Sequence, residues 1–358
     1  MLLSLPPELI WHTLSLLIPA DRPFALPPSH PATETLLNLT LVCKITHHIA
    51  NRLLLEHCLH IKSGKSMDAL LHGLLDKQSI YSKATKHTTN QPKSMIIQIK
   101  GEGLPRSSIQ NWKFRSTMPM DELSRHAHVF DGFFTRVGHC LTRLVLDSQF
   151  HFNVSGEQPG TPISVLARLA FSRLTAIEEF VAVHMDIFSG SMDSDGLLPV
   201  WAHWPRLRRL ALAHISVHSE KFLDGLRCCD ALTHLVLVCP MWLNSAVTQT
   251  FSRQLPALQS VVVVRVGGAH FQDPIPGVED AFLKGSFLGY LRESLRDVPV
   301  RISMLHVPVS PRRPWSPEVA SSRVCDSWSC KKWLFHHAIH GSLWDLKSAP
   351  EIVTEYES

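Results

Sequence analysis

The sequence predicts an α/β fold: an N-terminal helical module followed by a repeating solenoid with a parallel sheet. Three observations lead there. Ile10, Leu14, Leu17 and Ile18 stand at i, i+4, i+7 and i+8, the helical period, within the first sixty residues. A leucine-x-x-leucine-x-leucine template with aliphatic substitutions recurs from residue 141 onward. Helical patterns fill the intervals, and strand–helix–strand alternation implies right-handed crossovers between parallel strands.

The first helix begins at Pro6 and Pro7, which suit a first turn where a missing N–H costs nothing, and Glu8 complements the helix dipole. Leu9 and Leu16 add a second apolar face to it. A helix with two apolar faces needs two partners. Val42, Ile45, Ile49 and Leu53 form another stripe, so the following helices supply one partner and a different protein is a candidate for the other.

Leu5-Pro6-Pro7-Glu8-Leu9, then Leu39-Thr40-Leu41-Val42-Cys43-Lys44, then Leu53-Leu54-Leu55-Glu56-His57 resemble an F-box, in the form common among fungal F-box proteins. What the resemblance implies is docking onto the Skp-type adaptor of a cullin-RING ubiquitin ligase through Leu5, Pro6, Leu9, Leu14, Leu17, Val42 and Cys43. Two features depart from the family pattern: the Pro-rich stretch from 20 to 33 lengthens the link after the first helix, and Thr46 stands where an aromatic residue is usual. The plainer alternative is a helical hairpin whose leucines fill a core. A secretory signal is disfavoured, because Pro6, Pro7 and Glu8 occupy the place of a basic n-region.

With 358 residues, 45% hydrophobic and 18% charged, the chain has the composition of a globular protein of one or two folded units. Its 35 basic and 31 acidic residues form no run that would track phosphates, which disfavours a nucleic-acid partner. No apolar run is long enough for a membrane span. The eight cysteines are scattered within apolar stripes, the pattern of reduced thiols in a cytoplasmic or nuclear protein. The 22 histidines are unusually many and gather at no single place in the sequence.

After the module, Ser66 is expected to cap a helix lined by Leu70, Leu71, Leu74 and Leu75, and residues 77–93 read as a polar loop or hinge. Met95 to Ile99 reads as a strand, and Leu123, Ala127, Phe130 and Phe134 as one helix face. Template copies then start at Leu141, Ile177, Leu207, Leu232 and Leu258, with a further copy at Ile302. The spacings are 36, 30, 25, 26 and 44 residues; the middle ones suit leucine-rich repeats and the longer ones imply inserted loops. Leu174, Trp204, Cys229 and Leu255 each stand three places before a copy. Helix patterns run through Ile163, Leu166 and Ala170, through Val247, Phe251 and Leu255, and through Phe287, Leu291 and Leu295. A non-repeating α/β domain and a single doubly wound sheet share this alternation and are the alternatives.

The expected division is 1–61 module, 62–93 helix and linker, 94–310 solenoid, and 311–358 capping tail. In such a repeat Val145, Val181, Ala211, Val236 and Val262 point to the concave face, flanked by Arg143, Glu179, Arg209, His234 and Ser260. An apolar row there is either a target-binding surface or is covered. The covering candidate is the tail, with Trp315, Trp328, Trp333 and Trp344; intramolecular packing is the favoured use of these rings. Loops 147–162, 184–200 and 266–277 are further places for a target.

No motif assembles a catalytic set or a cofactor site. Gly64-Lys65-Ser66 lacks the earlier glycine of a phosphate loop, where Leu59 stands. Cys325 and Cys330 with His336, His337 and His340 are spaced wrongly for a zinc finger. The expectation is therefore a non-catalytic substrate receptor for an unknown target protein, or else an interaction scaffold without a ubiquitin role.

Overall fold

A computed structural model describes residues 5–19, 25–75, 91–99, 120–148, 162–184, 198–241, 243, 255, 257–267, 286–294, 300–308 and 323–346. Eight strands form one parallel sheet: β1 (Leu59–Ile61), β2 (Ser94–Ile97), β3 (Arg143–Leu146), β4 (Glu179–Ala182), β5 (Arg209–Ala213), β6 (His234–Val238), β7 (Ser260–Gly267) and β8 (Arg301–Pro308). Their spatial order is their chain order. A doubly wound sheet reverses direction at a switch point, and none occurs here.

Among the described residues the helices are α1 (Pro7–Ser15), α2 (Pro31–Leu39), α3 (Lys44–His57), α4 (Gly64–Leu75), α5 (Met120–Val137), α6 (Pro162–Ser172), α7 (Glu220–Arg227), α8 (Phe287–Ser294) and α9 (Arg323–Ile339). None is long and apolar enough to cross a membrane. The template leucines point to the side where α4 to α8 pack. Leu144, Leu146, Leu210, Leu212, Leu235 and Leu237 are buried there against Phe130, Phe134, Phe171, Phe222 and Phe287. The lead-in residues Leu174, Trp204, Cys229 and Leu255 join the same core. Trp204 keeps its indole N–H satisfied by donating to the Phe171 carbonyl at 2.9 Å, which removes the penalty for burying it.

Strand pairing places the five copies from Leu141 to Leu258 in one register, with Arg143 opposite Glu179, Glu179 opposite Arg209, Arg209 opposite His234 and His234 opposite Ser260. The last copy is shifted from the sequence expectation. Ile302 and Met304 pair with Val261 and Val263 and pack on the helix side, whereas Leu305 lies on the opposite face. Ile302 is thus a second-position residue rather than the start of a copy, and the template was misled by the equally spaced Leu305. Two strands escaped the template altogether. Met95 and Ile97 align with Leu144 and Leu146, and Leu59 and Ile61 align with Met95 and Ile97. Residues 59–61, expected within the helical module, are therefore the first strand of the sheet.

Other expectations shift less. Helix α4 starts at Gly64, and the Ser63 hydroxyl, not that of Ser66, accepts the Ser66 backbone N–H at 3.1 Å. Residues 76–90, the loops named above over 149–161, 185–197 and 268–277, and the helix pattern at Val247 and Phe251 lie outside the described residues.

The second face of the sheet is apolar and is covered. Val145, Val181, Ala211, Val236 and Val262 sit with Ile96, Val183, Ala213, Val238 and Val264 in one buried cluster with Cys330, Trp333, Leu334 and Ala338 of α9. Helix α9 contacts β3, β6, β7 and β8, and Leu343 and Trp344 of the following turn extend the cover. Parallel sheets require both faces to be buried, and here nearly continuous Val and Ala positions match a helix on that side.

Candidate docking surface on the N-terminal helices

Helices α1 to α3 build a small core of their own. Ile10, Leu14, Leu36, Ala50 and Leu53 are its buried residues, and Trp11, Leu17, Ile18, Leu39, Ile49 and Leu54 pack against it. Helix α2, whose periodicity the sequence reading did not single out, starts at Pro31 with the His30 ring accepting the Ala32 N–H at 3.1 Å. The stripe Val42, Ile45, Ile49, Leu53 divides, because α3 begins only at Lys44: Leu53 is core, whereas Val42 and Ile45 are exposed.

The two features that depart from the F-box pattern have structural uses here. Thr46 is buried, and its hydroxyl accepts the Cys43 N–H at 3.2 Å, closing a reciprocal cap at the start of α3. Hydrogen bonds to the Cys43 sulfur, from the Thr46 hydroxyl first and its backbone N–H second, hold the thiol below its ordinary value. The end of the Pro-rich stretch is anchored too. Leu26 N–H donates to the His57 carbonyl at 2.8 Å, the Thr33 hydroxyl donates to the Pro27 carbonyl at 3.0 Å, and Ala25 is buried in the α9-covered cluster of the sheet.

The module is joined to the sheet without slack. Only Cys58 separates α3 from β1. Glu56, buried at the end of α3, pairs with Arg52 at 3.2 Å and Lys93 at 3.4 Å, and its carbonyl accepts the Lys93 N–H. A buried carboxylate held by two cations ties the last helix of the module to the segment entering β2.

Several large apolar residues stay outside this packing. Leu9 on α1, Leu5 and Leu16 flanking it, and Leu37, Leu41, Val42 and Ile45 at the α2–α3 corner are exposed. Leu41 is 84% exposed, Leu16 71% and Val42 66%. Of the ten large apolar residues exposed among the described residues, these seven fall within residues 5–45. Single exposed leucines need no explanation, but their concentration within residues 5–45 makes this part of the surface a candidate for docking.

Of the residues expected to dock, Leu5, Pro6, Leu9 and Val42 are exposed and Cys43 is half-buried. Leu14 and Leu17 require correction. Leu14 is 7% exposed and fills the core of the module with Ile10 on the inner face of α1, and Leu17, past the end of α1, packs half-buried against that core. Leu16, Leu37, Leu41 and Ile45 were missed. Leu16 was legible as the partner of Leu9 on a second apolar face, whereas Leu37 lies in α2, Leu41 in the turn and Ile45 in α3, so no single helical period links those three.

The concave row is likewise corrected as an open target site. Val145, Val181 and Ala211 are fully buried, Val236 is 1% and Val262 8% exposed, all beneath α9. Trp333 and Trp344 are buried in that cover; Trp315 and the side chain of Trp328 lie outside the described residues. The flanking positions form a ladder across the strands. Glu179 sits between Arg143 at 3.7 Å and Arg209 at 3.0 Å, and Trp344 stacks near Arg209 and His234. At the other end of the row Lys331 of α9 lies 3.0 Å from His184 Nδ1, and His184 Nε2 lies 3.2 Å from Asp147.

The fold and these surfaces define a mixed α/β chain with a single parallel sheet, flanked by a helical module with an exposed apolar surface. No protein-family model matches the sequence, and no curated protein is significantly similar to it.

Proposed function

We propose that this chain is a non-catalytic substrate receptor that docks on the Skp-type adaptor of a cullin-RING ubiquitin ligase and presents a target protein through a leucine-rich-repeat-like solenoid. The observation that carries the reading is the concentration of exposed apolar residues on α1 and the α2–α3 corner, where the F-box resemblance also falls. The solenoid reading is supported by strands that follow one another without reversal and by template leucines that all face the helices. Catalysis in this role is proximity: the receptor raises the effective concentration of target lysines near the ubiquitin-charged enzyme.

The short link from α3 to β1 and the Glu56 contacts favour a fixed geometry between docking surface and sheet. A scaffold without a ubiquitin role is the second reading, and the burial of Leu14 inside the module favours it to that extent. Co-purification with the adaptor decides between them. The wild-type chain is expected to retain adaptor, and Leu9→Asp and Val42→Asp, at exposed positions, are expected to lose it while the chain stays folded. Failure of the wild-type chain to bind any adaptor removes the ubiquitin reading and leaves the scaffold.

A further inference from the structure

The histidines that form no cluster in the sequence do gather in space, around the cover on the second face of the sheet. His337 lies in the apolar seam of α9, at the spacing shared with Cys330, Trp333, Leu334 and Ala338, and is 8% exposed. Its ring stacks 4.4 Å from Trp333 and its Nδ1 lies 2.7 Å from the Ser342 hydroxyl, but its buried Nε2 has no hydrogen-bond partner. The Trp333 indole N–H is also buried without one. His336 and His340 flank the seam, with ring centroids 4.0 Å apart. From the sheet, His234 lies under Trp344.

We infer that α9 is a proton-released cover: acidification charges the seam histidines, undocks α9 and Trp344, and uncovers the valine face of the sheet. An imidazole in this seam is tolerated only neutral, because an imidazolium there has lost its water and gained no anion. The charged and titratable groups of the strands in contact with α9 offer little relief. On this face Arg143 of β3 and Arg301 of β8 are cations and His234 of β6 is a further base, whereas Arg265 and His306, paired with each other, alternate to the helix side. The nearby carboxylates are engaged: Glu179 by Arg143 and Arg209, and Asp147 by His184 and by Gln98 at 2.9 Å. Asp345, beside His234, is exposed at the end of the cover.

Burial pushes His337 down to about 4 from an ordinary 6.5, with His340 adding to the shift. Burial lowers His234 as well, helped by Arg209 and opposed by Asp345. The sign is shared. The undocked imidazole binds a proton at higher pH than the docked one, so docking is complete above 6.5 and is lost as pH falls toward 4. For His337 alone this weakens docking about 30-fold at pH 5 relative to neutral.

The test is hydrogen–deuterium exchange of the full chain at pH 7.5 and 5.0, corrected for intrinsic exchange. Protection of segment 323–346 should fall about 30-fold at pH 5.0, while β3 to β6 and α5 stay protected. In His337→Met the fall should shrink to a few-fold. The proposal is overturned if wild-type α9 keeps its protection, if all segments lose protection together, or if His337→Met falls as far as wild type. Should His337→Met not fold, His337→Gln, which retains a hydrogen-bonding group, takes its place under the same criteria.

Discussion

Leu9 and Leu14 stand five positions apart on one short helix and have opposite fates. Leu14 fills the core of the module and Leu9 faces solvent, 51% exposed. Truncation to Ala should separate them: Leu14→Ala is expected to cost about 2–5 kcal/mol and Leu9→Ala under about 1 kcal/mol. Chemical denaturation of the two variants measures the difference, and equal losses would place Leu9 in the core. The thiols divide in a similar way. Burial raises Cys58 to about 11 and Cys140 and Cys229 to about 12, whereas Cys43 is lowered by its hydrogen bonds with Thr46. At neutral pH Cys43 should alkylate ahead of those three, since the thiolate is the reactive form. Peptide mapping after brief iodoacetamide treatment reads the order, and modification of Cys229 before Cys43 would contradict it.

Thr46 shows how a departure from a sequence pattern becomes an element's own solution. Its hydroxyl satisfies the Cys43 N–H at the start of α3 and replaces whatever packing an aromatic ring would bring. Thr46→Ala should destabilise the chain by about 0.5–2 kcal/mol, measured by thermal or denaturant unfolding; an unchanged midpoint would show the cap to be dispensable. The repeats were legible because a strand in this sheet alternates core leucines with facing valines, and alternation survives in the bare sequence. The strands β1 and β2 were not read as copies because Glu56 and Pro92 stand three places before Leu59 and Met95, where a leading leucine would be. Glu56 is tolerated there because Arg52 and Lys93 meet its carboxylate.

For the molecule as a whole, the cover formed by α9 decides what surface is available. Without it the sheet would expose a row of Val and Ala positions across six strands, a patch of the kind that drives association. Removal of residues 323–358 is therefore expected to leave a chain that binds a hydrophobic dye and self-associates, read by fluorescence and by sedimentation. A monomeric truncated chain that binds no dye would mean that other residues cover the face. Because Ala25 joins the same cluster, the N-terminal module reaches the apolar face that α9 covers.

Local sequence determined most of the strands and most of the helices, since side-chain direction follows from a period of 2 or 3.6 and needs no knowledge of distant residues. It also determined that α1 has two apolar faces. Only the tertiary structure decided which of those faces α2 and α3 would take, and so which leucines remain for a partner. It likewise decided that the valine face is covered and that histidines far apart in the chain meet at the cover. The physical reason is common to these outcomes: burial is a property of pairs of surfaces, and the second surface of each pair lies tens or hundreds of residues away.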